Sequence, residues 1–94
     1  MTSHKVIEVI DGDTFVVSPN WTWNQLQGNR VRPTGYNAPE KGTYRYFAVK
    51  TKLENIILGK TVKIKPIKMS YDRLLCDVYI NGYNLAEYFP EYQT

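Results

Sequence analysis

Apolar and polar side chains alternate over five short stretches of the chain, the period expected of β-strands with one face on a core and one in water. In the fourth stretch, Val62 and Ile64 predict an inward face, and Lys63 and Lys65 predict an outward one. The five predicted strands are Lys5–Ile10, Thr14–Val17, Arg30–Tyr36, Lys60–Lys68 and Leu74–Ile80. The pattern therefore indicates a small β-rich domain.

The pattern changes to helical spacing between the third and fourth predicted strands. Tyr44–Leu58 is predicted to be the one long helix, because Val49 and Leu53 fall on one face of it. Gly59 predicts a left-handed cap at its C-terminal end. Thr43 is the predicted N-cap.

A second, short helix is predicted over Asn84–Phe89, with Asn84 as its N-cap and Pro90 as its stop. Five short strands with a helix between the third and the fourth is the order of the OB-fold, a five-stranded β-barrel. Composition and periodicity alone leave other small β-barrels open. The length predicts a single domain, residues 1–94.

The segment Ser18–Gly28 is predicted to be a loop, because proline, asparagine and glycine interrupt the alternation. It contains Trp21 and Trp23. These two rings predict either a stacking platform for nucleic-acid bases or a flap that covers the barrel. The flap is favoured, because two exposed tryptophans would be a liability on a small soluble domain.

The charge is unevenly distributed, although the net charge is only +3. Nine lysines and arginines lie between Lys41 and Arg73, against the acids Glu54 and Asp72. A basic segment of this kind predicts either a polyanionic partner or a solvated basic face with no partner. The solvated face is favoured, because charge runs are usually solvated.

The chain has one cysteine, Cys76, and one histidine, His4, which is predicted to be exposed. An internal disulfide is therefore impossible, and Cys76 is predicted to be a small core residue. These counts argue against zinc sites built on cysteine and histidine, and against Ser-His triads.

No apolar run reaches the length of a membrane span, so no membrane association is expected. No signal peptide is visible in Met1–Val9, which favours a cytoplasmic location unless a leader has been removed. We expect a monomer.

The stretch Asn29–Gly42 delivers several polar groups in quick succession. Arg32, Asn37 and Glu40 place a cation, an amide oxygen and a carboxylate close together in the sequence. Pro39 restricts both its own backbone and that of the residue before it, so Glu40 is expected on a stiff elbow. A solvated turn is the alternative, because charged residues are common in turns.

Three segments in this order resemble the staphylococcal nuclease (thermonuclease) family. They are Asp11-Gly12-Asp13-Thr14, then Arg32 followed by Asn37-Ala38-Pro39-Glu40, then Tyr71-Asp72-Arg73. The steps Gly59–Val62 and Val78–Gly82 also look like the family's pattern. The resemblance covers roughly residues 6–88, and it implies the OB-fold among the small barrels.

The resemblance also implies a calcium site and a hydrolytic reaction. By this resemblance, Ca²⁺ would be held by Asp13, Asn37 and the backbone carbonyl of Ala38. Glu40 would act on the attacking water, and Arg32 and Arg73 would bind the phosphate. Arginine suits that task because its fork can grip two phosphate oxygens at once.

The activity expected from the resemblance is calcium-dependent hydrolysis of DNA or RNA phosphodiester bonds with little sequence preference. The partner is then a nucleic acid, expected to be single-stranded or flexible. Contacts outside the reacting centre are predicted for Tyr71, Lys68, Lys63, Trp21 and Trp23.

One departure from the family pattern leaves other functions open. Asn37 stands where the family has aspartate, which removes one negative charge and predicts weaker calcium binding. A nucleic-acid-binding module without hydrolysis is therefore one alternative. A protein-interaction domain on the same fold is another. Its predicted surface is Trp21, Trp23, Tyr88, Phe89 and Tyr92.

Overall fold

A computed structural model describes all 94 residues of the chain. The strands are β1 (Thr2–Asp11), β2 (Thr14–Trp23), β3 (Leu26–Pro33), β4 (Thr61–Ser70), β5 (Arg73–Ile80) and β6 (Tyr83–Asn84). The single α-helix, α1, spans Tyr46–Ile57 between β3 and β4, and two 3-10 turns follow at Leu85–Tyr88 and Pro90–Tyr92. None of the helices has the length and apolarity that a membrane crossing requires.

Five strands close into a barrel, with the two-residue β6 added beside β5. The strand order is β3-β2-β1-β4-β5-β6, and β3 also pairs with β5. That closing pair is parallel, with Val31 opposite Leu74 and Arg32 opposite Leu75, whereas the other pairs are antiparallel. The predicted fold class, a β-rich OB-type barrel with a long helix between the third and fourth strands, is confirmed.

The core fills the barrel and the space beneath the helix. Inward-facing side chains such as Val6, Phe15 and Ile64 are fully buried. Helix α1 adds Leu53 and Ile57, both 0% exposed, from its inner face. Burial of side chains of this size contributes roughly 1.5–3 kcal/mol each, so the helix is a structural part of the barrel.

The predicted loop at Ser18–Gly28 is wrong, because β2 and β3 continue through it and form a long hairpin. The hairpin turns at Asn24 and Gln25, which have φ angles of 48° and 68°. This turn lacks the glycine that usually marks such a hairpin in a sequence. The strands therefore extend to Trp23 and begin again at Leu26.

Trp21 belongs to the core, so the nucleobase-stacking role predicted for it is wrong. Its side chain is 3% exposed. Its indole Nε1 donates a hydrogen bond to the Arg30 carbonyl across the hairpin, at 3.0 Å. The ring lies over Gly28, where an added Cβ would come within 2.7 Å of Trp21 Cζ2. Trp23 is partly buried against the same core.

Two further expectations are corrected at the level of single side chains. His4 is buried rather than exposed, and its Nδ1 lies 2.7 Å from the carbonyl of Pro19. Thr43 does not cap α1, whose N-cap is Arg45 without a side-chain hydrogen bond. The Thr43 hydroxyl instead donates to the carbonyl of Glu40.

Other local predictions are confirmed. Gly59 has a φ of +78°, as expected after the helix. Asn84 accepts a hydrogen bond from the Ala86 amide, so it caps the predicted short helix, which is a 3-10 turn. Cys76 is fully buried, and this burial raises the pKa of its thiol to about 12.

Candidate functional site

The candidate site lies where three segments meet at one end of the barrel. The turn between β1 and β2 carries Asp13, because Asp11 pairs with Thr14 and leaves the two residues between them at the bend. The end of β3 carries Arg32, and the loop after β3 carries Asn37. Strand β5 begins beside them at Arg73, because β3 and β5 are paired.

Arg32 connects two of the predicted site residues. Its Nη2 lies 3.5 Å from Asp13 Oδ2 and donates to Asn37 Oδ1 at 2.8 Å. The side chains of Arg32 and Asp13 are only 24% and 17% exposed. The guanidinium therefore lies between two of the oxygens predicted to hold calcium.

Asp13 is partly buried and lies beside Asp11 in the β1–β2 turn. Burial raises the pKa of Asp13 above its ordinary value, and the nearby Asp11 carboxyl raises it further. Arg32 and the amide of Ala38, which donates to Asp13 Oδ2 at 3.4 Å, lower it by less. Burial and Asp11 together outweigh these two groups, so the folded protein favours the protonated form of Asp13 more than the unfolded chain does.

The Asp13→Asn variant is expected to gain stability relative to the wild type as the pH rises. Because folding raises the pKa of Asp13, the folded protein holds that proton more tightly than the unfolded chain does. The resulting stability is present below the ordinary aspartate pKa of 3.8 and is lost as pH rises through the folded-state pKa. Asparagine has no such loss.

Urea unfolding of both proteins from pH 3 to pH 7 measures this effect. We expect the free energy of unfolding of the variant, minus that of the wild type, to increase between acid and neutral pH. The Glu8→Gln variant serves as control, because Glu8 is exposed on β1. A difference that stays constant with pH would contradict the electrostatic account.

Tyr36 holds the β1–β2 turn against the loop after β3. Its buried hydroxyl donates to the Gly12 carbonyl at 2.8 Å, and its ring stacks on Phe89 with centroids 4.5 Å apart. Burial raises the pKa of Tyr36 far above its ordinary value, so the hydroxyl stays protonated as a donor. An added Cβ at Gly12 would lie 2.7 Å from Ala38 Cβ, which shows how closely the two segments pack.

Sequence reasoning missed Tyr36, which it assigned only to a strand. The Tyr36→Phe variant is expected to be less stable by about 1–3 kcal/mol, because the buried Gly12 carbonyl would lose its donor. Chemical denaturation measures this, with Tyr83→Phe as control, since Tyr83 is 59% exposed. Equal losses in both variants would show that the Gly12 hydrogen bond does not stabilise the fold.

Arg73 lies close to Asp13, because it binds Thr14, the residue that follows Asp13 in the sequence. Its Nη1 donates to Thr14 Oγ1 at 2.9 Å, and Thr14 is buried at the start of β2. The two arginines predicted to bind phosphate therefore stand on the paired strands β3 and β5. Tyr71 is 95% exposed in the turn between β4 and β5, so its ring is free to meet a ligand.

Glu40 lies on the loop after Pro39 with its side chain in solvent. Its backbone carbonyl accepts hydrogen bonds from Thr43, but its carboxylate has no hydrogen-bond or ion-pair partner in the protein. Arg32 and Glu40 therefore do not form a salt bridge. Glu40 carries a free charge close in sequence to Asn37.

The last residues of the chain support the same loop. The Asn37 amide donates to the Tyr92 carbonyl at 3.0 Å, and the Thr94 amide donates to the Gly35 carbonyl at 3.0 Å. Phe89 lies beneath Tyr36 and is 1% exposed. With Trp21 and Phe89 both buried, the aromatic residues predicted to form a protein-interaction surface do not form one continuous exposed patch.

The calcium site stays a prediction, because few of its predicted ligands are carboxylates. No three acidic, histidine or cysteine side chains converge on one point. Calcium, however, also accepts amide and backbone carbonyl oxygens, and it takes six to eight oxygen ligands. The predicted ligand atoms of Asp13, Asn37 and the Ala38 carbonyl are oxygens of these types. Asp13 Oδ2 and Asn37 Oδ1 both contact Arg32. Arg32 therefore competes with a cation for these two atoms.

The sequence matches no protein-family model and no curated protein. The chain is therefore assigned to a class only through its fold, a small closed OB-type β-barrel.

Proposed function

We propose that this protein is a calcium-dependent nuclease that hydrolyses phosphodiester bonds of DNA or RNA with little sequence preference. The observation that carries the proposal is the convergence of Asp13, Arg32 and Asn37, with Arg73 on the adjoining strand. The order of the sequence motifs supports a resemblance to the staphylococcal nuclease family.

Each residue has a distinct task in the proposed reaction. Asp13, Asn37 and the Ala38 carbonyl would hold calcium, which would supply positive charge to neutralise the phosphate. Arg32 and Arg73 donate to the phosphate oxygens and hold the ester between β3 and β5. To bind the phosphate, Arg32 would exchange its 2.8 Å hydrogen bond to Asn37 and its 3.5 Å contact with Asp13 for phosphate oxygens.

Glu40 is the proposed general base. Its carboxylate is solvent-exposed and unpaired, so it can accept a proton from a water molecule and release it to solvent. The direct test is cleavage of end-labelled single-stranded DNA and RNA by the purified wild type, with Ca²⁺ or with EDTA, beside Glu40→Gln. Loss of cleavage in EDTA and in the variant is expected. Intact substrate in Ca²⁺ would overturn the proposal.

A nucleic-acid-binding module without hydrolysis is the second candidate. The observation that favours it is the 2.8 Å hydrogen bond from Arg32 to Asn37, which occupies an amide oxygen that a metal would need. In this case the arginines bind phosphate and no metal is required. Binding would then be salt-dependent and would survive chelation.

The Asn37→Asp variant distinguishes the two candidates. The added carboxylate is expected to tighten calcium binding by about tenfold, because calcium affinity depends on ligand charge. Titration calorimetry measures this, with and without a nucleotide bisphosphate. Calcium binding by the wild type supports the nuclease. Binding by Asn37→Asp alone, with no wild-type cleavage, identifies the binding module.

A further inference from the structure

The outer face of strands β3, β5 and β4 is a basic surface that continues from the candidate site. Leu75 on β5 is flanked by Arg32 on β3 and by Lys68 on β4, because it pairs with both. Arg73 lies on the same face of β5 and pairs with Ser70. The two proposed phosphate-binding arginines and Lys68 therefore stand on neighbouring strands.

Positively charged side chains continue along strand β4, away from the candidate site. Lys63 and Lys65 are exposed and alternate with the buried Val62 and Ile64, so both point outward. Neighbours two apart on a strand are about 6.7 Å apart. This step is comparable to that between phosphates of a stretched single-stranded nucleic acid. We call Lys63, Lys65 and Lys68 the lysine track.

The lysine track forms no ion pair within the protein, and one acid, Asp77, lies opposite it on β5. None of its three residues has a carboxylate within 4.0 Å, whereas Arg30, Arg32 and Arg45 are each paired with an acid. The acid opposite Lys65 is Asp77, which accepts a hydrogen bond from the hydroxyl of Thr34. Lys63 lies opposite Tyr79, and Lys68 lies opposite Leu75.

We infer that the lysine track binds the phosphate backbone of a single-stranded polynucleotide that leads away from Arg32 and Arg73. The inference rests on the proposed function and defines its substrate class, a polymer rather than a mononucleotide ester. From Lys63 to Ser70 the strand covers about 23 Å, which accommodates several nucleotides. The lysines stand in single file on one strand, which suits one backbone rather than the two of a duplex.

Lysine contacts of this kind bind without reading the bases. Each phosphate that an ammonium group neutralises releases a counterion, so affinity falls as the salt concentration rises. For single strands the slope of log K against log [salt] is about −0.7 per contacted phosphate. The number of lysines engaged can therefore be counted from the slope.

The test is fluorescence anisotropy of a labelled single-stranded 12-mer and a labelled dinucleotide in EDTA, over a series of salt concentrations. The variant Lys63→Gln/Lys65→Gln is compared with Lys50→Gln/Lys52→Gln on α1, which loses the same net charge. For the 12-mer, we expect the track variant to reduce the magnitude of the slope of log K against log [salt] by about 1.4. We also expect a smaller ratio of the 12-mer affinity to the dinucleotide affinity. The helix variant should do neither.

Equal slopes for the two double variants would overturn the lysine track. The inference would also be overturned if a 12-base-pair duplex bound as tightly as the single strand and its affinity fell by the same factor in the track variant. Because these measurements need no calcium and no cleavage, they are independent of the nuclease proposal. A track that binds in EDTA while Ca²⁺ gives no cleavage would refute the nuclease alone, and cleavage of dinucleotide and 12-mer at equal kcat/KM would refute the track alone.

Discussion

The Glu40→Gln variant is expected to cleave single-stranded DNA and RNA about 10²–10⁴-fold more slowly than the wild type, which is the usual contribution of a positioned general base. The amide is nearly isosteric with the carboxylate but cannot take a proton from water. The loss should appear in kcat, since Glu40 is not among the residues proposed to hold the phosphate.

The Glu40→Gln substitution is expected to change activity without changing stability. The Glu40 carboxylate has no partner to lose, so the free energy of unfolding should change by less than about 0.5 kcal/mol. Initial rates and urea denaturation on the same preparations measure both quantities, and Glu54→Gln on α1 is the control. Full activity in Glu40→Gln would exclude Glu40 as the base and leave Asp11 as the next carboxylate to examine.

The Trp21→Ala variant is expected to lose about 3–5 kcal/mol of stability, the usual cost of removing a buried tryptophan. The ring is 3% exposed, and its Nε1 supplies the hydrogen bond to the Arg30 carbonyl. For a domain of this size such a loss is a large part of the total stability. Thermal and chemical unfolding measure it.

Two further variants test whether the stability loss comes from the packing of the Trp21 ring. Trp23→Ala should cost less than Trp21→Ala, because Trp23 is only partly buried. Gly28→Ala should cost about 1–3 kcal/mol, because the new Cβ would displace the Trp21 ring. If Trp21→Ala instead weakened nucleic-acid binding with no change in stability, the ring would be a ligand contact and its burial would be wrong.

The barrel could be predicted because its information is local and repeated. Alternation within each strand, as at Val62 and Ile64, and the glycine at position 59 mark most of the elements. The hairpin from β2 to β3 was missed because its turn uses asparagine and glutamine. The burial of Trp21 depends on Gly28 and Arg30 across that hairpin, and alternation in the segment around Trp21 does not show it.

The candidate site could be predicted only as a set of residues. The motifs name Asp13, Arg32 and Asn37, and the structure brings these three together. Their mutual contacts do not follow from the motifs, because the direction of the Arg32 side chain depends on Asp13 in the β1–β2 turn and on Asn37 in the loop after β3. Tyr36 was missed because its role comes from a hydrogen bond to the Gly12 carbonyl, a backbone group that leaves no mark in the sequence.

The parallel pairing of β3 with β5 also has a kinetic consequence. Arg32 and Arg73 are far apart in the sequence, and they become neighbours only when this seam of the barrel closes. Pairings of this kind require the chain to close a long loop, which costs entropy before any stabilising contact forms. They therefore tend to form late in folding. A chain whose hairpins and helix had formed, but whose seam was still open, would therefore present two separate arginines and lack the pair proposed to bind phosphate.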